Sequence, residues 1–135
     1  MNTFTKYYLR TLLALLVLDG IWLGSTSQTI YAVYLKHLMG DTAVIWPALL
    51  FYPVYALTVT MLVVLPTVRA GKGTGHAFLM GAVLGLGAYG AYDFTNQATL
   101  RDWPLVITVV DLAWGTFVTG TGAAIAASRW LQKRR

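Results

Sequence analysis

Cysteine and glutamate are absent from this 135-residue chain, histidine occurs twice, and only 11% of positions carry a charge. Without cysteine there is no disulfide, no thiolate nucleophile and no cysteine-bound metal, and cysteine usage says nothing about redox compartment. With His37 and His76 far apart in sequence, no histidine pair has metal-binding spacing, so the residues name neither a metal nor a cofactor. What fills the chain instead is apolar: 57% of residues are hydrophobic and mean hydropathy is +0.62, values that belong to a membrane protein.

Runs of about twenty apolar residues can each cross a hydrocarbon layer about 30 Å thick, and the sequence predicts four such helices, at about 8–27, 45–66, 76–97 and 103–128. The expected fold is therefore all-α, an integral membrane four-helix bundle forming a single membrane domain over 1–135. Pro66 is expected to stop the second helix, and the glycine-rich basic stretch from Arg69 to Gly75 reads as a linker. It lacks the Walker spacing and a preceding strand, which excludes a phosphate loop. A cleavable signal is the competing reading of the first apolar run, but an aspartate interrupts that run, so it reads as a retained span.

Of the ten lysines and arginines, eight flank one side of this arrangement: Lys6, Arg10, Arg69, Lys72, Arg129, Lys133, Arg134 and Arg135. Only Lys36 and Arg101 lie in the other two loops, so both termini are expected in the cytoplasm. The net charge of +5 is explained by that topology and by contact with anionic lipid headgroups, with no need for nucleic acid.

In the first outer loop Tyr31, Tyr34, Leu35 and Leu38 follow the i, i+3, i+4, i+7 pattern of a short interfacial helix. Trp46-Pro47 and Trp103-Pro104 each open a span with an interfacial aromatic, and Asp102 is expected to cap the fourth helix. His37 and His76 read as surface residues at opposite boundaries. Sharing of Asp-x-x-Trp, Tyr-x-x-Tyr and Trp-Pro among the spans supports no consistent internal repeat.

Within the apolar runs stand Asp19 and Asp111, each followed three residues later by tryptophan, Trp22 and Trp114. Burying a carboxylate in hydrocarbon costs about 2.5–3.5 kcal/mol even on lenient scales, so an intramembrane acid is a functional candidate by default. Counting residues from the span ends puts the two acids at equal depth, with Asp93 nearer the outer surface. Gly81, Gly85, Tyr89, Tyr92, Asp93 and Asn96 share one face of the third helix, and Tyr52 and Tyr55 reach similar depth. The expected site is an outward-opening pocket of carboxylates, phenols, two indoles and Asn96. Approach of Asp19 to Asp111 would couple their titrations and let them share a proton.

Such a pocket suits proton-linked binding or translocation of a small cationic or amphiphilic ligand, with indole and phenol faces for an organic cation. Two other readings stay open: a membrane-embedded enzyme modifying a lipid, which lacks an intramembrane histidine or cysteine, and a structural or assembly subunit using the polar groups for packing. Gly81 and Gly85 form a small-xxx-small pair suited to helix packing, and glycine faces could also support a homodimer.

The segment Tyr89-Gly90-Ala91-Tyr92-Asp93-Phe94-Thr95-Asn96, with Asp111-Leu112-Ala113-Trp114, Phe51-Tyr52-Pro53-Val54-Tyr55 and Asp19-Gly20-Ile21-Trp22, resembles a family of small bacterial membrane proteins catalogued as domain of unknown function 2177. The resemblance covers nearly the whole chain. It implies a compact four-span protein of the bacterial inner membrane and carries no activity to these residues.

Overall fold

The computed structural model describes residues 1–129. Four helices are long and apolar enough to cross a membrane: α1 (Thr3–Leu35), α2 (Trp46–Arg69), α3 (Thr74–Thr99) and α4 (Leu105–Ala127). No strand occurs among the described residues, and the fold is the expected four-helix membrane bundle. Lys133, Arg134 and Arg135, which enter the charge count at the carboxyl end, lie outside the described residues.

Outward faces are apolar, as a lipid-facing surface must be: Leu13, Val17 and Ile21 on α1 and Leu49 and Val54 on α2 are all exposed. Buried threonines keep their hydroxyls satisfied within their own helix, as Thr11 donates to the Tyr7 carbonyl at 2.8 Å and Thr60 to the Ala56 carbonyl at 2.6 Å. Asn2 opens α1 by accepting from the Thr5 amide at 2.7 Å.

The closest packing joins α3 to α4, where glycine lets the backbones approach. A Cβ on Gly85 would overlap the Gly115 carbonyl and the Thr119 side chain, and one on Gly81 would meet the Thr119 carbonyl at 2.7 Å. This glycine face is consumed inside the chain, so it is not open to a second copy. Helix α4 also packs on α1, and α1 on α2, while α2 meets α3 mainly through residues 60–64. The apolar core accordingly lies toward the chain's amino end, around Tyr7, Leu15, Val63, Val64, Ala77 and Ala126. At the other end α2 and α3 stand apart.

Two π-helical turns interrupt the α-helices, Ser27–Tyr31 in α1 and Thr60–Val64 in α2. The second precedes Pro66, whose ring crowds the carbonyl four residues back and whose missing N–H leaves it without a partner. The widened turn absorbs that conflict, so the helix continues to Arg69 instead of stopping at Pro66. The first π turn corrects another expectation. Residues 31–35 are helical, but as the continuation of α1 through the π turn, with helix ending at Leu35 before Leu38. At 33 residues α1 is about 50 Å long against a hydrocarbon layer of about 30 Å, so this end exceeds a simple span.

Asp102 does not cap α4. Pro104 occupies the cap position with no side-chain bond to the helix, because Asp102 takes a left-handed backbone (φ 59°) in the preceding turn. The Asp102 carbonyl instead accepts from His37 Nε2 at 2.9 Å, tying the first loop to the last.

Candidate functional site

Where α2 and α3 separate, a cavity of about 250 Å³ opens beside Asp19 of α1 and Asp111 of α4. Both acids are buried residues that still touch this space. Asp19 Oδ1 accepts from Trp114 Nε1 at 2.7 Å, and its Oδ2 accepts from the Tyr52 hydroxyl at 3.0 Å. Asp111 Oδ1 accepts from the Tyr31 hydroxyl at 2.5 Å, and Tyr31 in turn accepts from Trp22 Nε1 at 3.2 Å. Each Asp-x-x-Trp segment therefore serves the acid of the other. The indoles of Trp22 and Trp114 stack between them, with centroids 4.4 Å apart and planes 7° from parallel.

The three-residue spacing creates this exchange. Residues i and i+3 share a helix face, so each tryptophan sits on the side of α1 or α4 that carries its aspartate, and antiparallel helices bring the two pairs together. Gly115 leaves the room that Tyr89 needs, since a Cβ there would fall inside the Tyr89 ring. Tyr89 extends toward the charges of both Asp19 and Asp111.

Asp93 occupies a different position from the one expected near the surface. It is fully buried, is not part of the cavity wall, and neither carboxylate oxygen has a hydrogen-bond donor. Its neighbour is the Asp111 carboxyl, with which it interacts side chain to side chain. The adjacent acids are thus Asp93 and Asp111, whereas Asp19 is engaged by Trp114 and Tyr52. Two carboxylates cannot hydrogen-bond when both are ionised, and one proton between them supplies the missing donor.

The remaining expected residues divide. Tyr52, Tyr89, Tyr92, Trp22 and Trp114 line the cavity with the two acids. Tyr55 is turned away, its hydroxyl 2.7 Å from Thr119 Oγ1, and Asn96 is half-buried outside the cavity, beside Tyr92. Tyr31 was not among the expected site residues, because its place depends on the π turn and the period of the sequence gives no sign of it. Trp103 is also more than an interfacial anchor. It is buried over the cavity, edge-on to Tyr92, and its indole N–H donates to Thr108 at 3.0 Å in a network that includes Gln97.

No lysine or arginine lines the cavity. Interhelical hydrogen bonds in membranes return about 0.6 kcal/mol each on average, less than the roughly 2.5–3.5 kcal/mol cost of an intramembrane acid. Two donors on Asp19 therefore offset only part of its burial. Among the described residues no three acids or histidines converge as a metal-binding group.

A family model described as "Predicted membrane protein (DUF2177)" matches residues 4–128, and the chain belongs to that family. Comparison with curated proteins and with solved structures gives no match.

Proposed function

We propose that this DUF2177 membrane protein binds a small cation or cationic amphiphile in the Asp19–Asp111 cavity and exchanges a proton held between Asp93 and Asp111 as it does so. The observation that carries this reading is a cavity lined by two carboxylates and four kinds of aromatic face with no basic side chain to neutralise them. A ligand cation supplies the absent charge, and the stacked indoles and Tyr89 offer π faces to its apolar part. Entry of a positive charge beside Asp111 favours ionisation of the Asp93–Asp111 pair, so binding releases up to about one proton and tightens as pH rises. The phenols of Tyr31, Tyr89 and Tyr92 act on the same pair, and each keeps its proton in this scheme.

The same reading places the cavity mouth outside the bacterial inner membrane, with both termini in the cytoplasm. It rests on the lysines and arginines that flank the closely packed end, Lys6, Arg10, Arg69, Lys72 and Arg129, against Lys36 and Arg101 at the other.

Native mass spectrometry of gently solubilised wild type beside Asp19→Asn and Asp111→Asn tests the proposal. A specific small-molecule or lipid adduct on the wild type that either substitution removes is the expected result. Identical bulk lipid on all three proteins would overturn it and leave the acids as packing groups.

A further inference from the structure

A second cavity, of about 320 Å³, adjoins the first and shares Phe51, Tyr89 and Tyr92 with it. Its other walls are Tyr55 on α2 and Ala88 on α3, so it is a groove between these two helices with almost no polar surface. It lies where α2 and α3 have separated beyond the Thr60–Val64 contact, within the length of both spans. A gap at that level faces the hydrocarbon of the bilayer. The two compartments differ in character along a short path: carboxylates and indole N–H groups at one end, aromatic and methyl surface at the other. Each is close to the lower end of the roughly 300–1,000 Å³ range of small-molecule sites.

Resting on the cavity reading above, we propose that the ligand is a long-chain amine that enters sideways from the bilayer between α2 and α3. Its ammonium group reaches Asp19 and Asp111, and its chain stays in the groove along Phe51, Ala88 and Tyr92. Charge complementarity selects the head: an anionic or phosphate-bearing lipid would meet two carboxylates with no lysine or arginine to receive it. Continuity of the polar cavity with a lipid-level apolar groove selects the tail, since a water-soluble cation would leave the groove unused.

The test uses the full chain in lipid nanodiscs, with dodecylamine, butylamine and laurate as probes. Ala88 lines the groove alone and is exposed, so Ala88→Trp fills the groove without entering the carboxylate cavity. Dodecylamine is expected to bind the wild type and to lose at least about tenfold in affinity in Ala88→Trp, a substitution that leaves butylamine binding unchanged. Laurate should not compete. As a second measurement, Ala88→Cys places one thiol in a chain that has no cysteine. A bilayer-soluble maleimide should label it, and dodecylamine but not butylamine should protect it.

If both amines bind and neither the Ala88→Trp loss nor the protection is seen, the lateral groove is overturned while the cavity reading stands. Binding of laurate on a par with dodecylamine overturns the amine head. Binding of neither amine to the wild type overturns both readings.

Discussion

Asp93 and Asp19 are both buried acids, yet one has no donor and the other has two. Their substitutions should therefore differ in sign. Asparagine at 93 is nearly isosteric and brings an N–H that can donate to Asp111. Asp93→Asn is therefore expected to melt at or above the wild-type temperature, and its binding should release no proton in calorimetry across buffers of different ionisation enthalpy. Trp114→Phe instead removes the 2.7 Å donor from Asp19 and is expected to cost about 1–3 kcal/mol in a thermal or denaturant melt. Equal melting of Trp114→Phe and wild type would mean that Asp19 is held by Tyr52 alone. The sequence made Asp19 and Asp111 conspicuous because an acid in an apolar run is costly wherever it points. It left Asp93 misplaced, because depth counted from a span end does not say which helix face turns inward.

At the scale of the helix, the π turn at Ser27–Tyr31 holds one residue more than an α-turn of the same rise and so resets the face that follows it. Deleting exposed Gln28 should restore α-geometry and swing Tyr31 by about 100° away from Asp111. Loss of the Tyr31–Asp111 bond can be read from the Tyr31 hydroxyl by infrared or NMR, with helicity retained. The α3–α4 contact gives a second comparison. Gly85→Ala must displace the Gly115 carbonyl and is expected to destabilise by about 1–3 kcal/mol, whereas Gly87→Ala meets nothing within 4 Å and should be neutral or stabilising by up to about 1 kcal/mol. Helix number and approximate span ends were legible because hydrophobic length alone determines them. Continuation past Pro66 and through residues 27–31 was not, since a π turn inserts a residue without altering the apolar pattern. The Gly81–Gly85 spacing announced close packing, while the identity of the partner helix required the folded bundle.

Across the whole molecule, the proposed topology can be read chemically because the chain has no cysteine of its own. Gly40→Cys and Gly73→Cys sit in opposite connections, and neither added side chain meets a close neighbour. An impermeant maleimide applied to intact cells should label Gly40→Cys and spare Gly73→Cys until the membrane is opened; the reverse pattern would invert the proposed orientation. Charge distribution made that orientation readable from sequence. The separation of α2 from α3 left no such trace, being set by where the bundle packs tightly and where it does not. One further property belongs to the bundle as a unit. The Trp22 and Trp114 rings, 4.4 Å apart, lie close enough for their transition dipoles to couple, so they absorb as an exciton pair and not as two isolated indoles. Near-ultraviolet circular dichroism of the unlabelled protein thus carries an intrinsic optical gauge of the distance between α1 and α4.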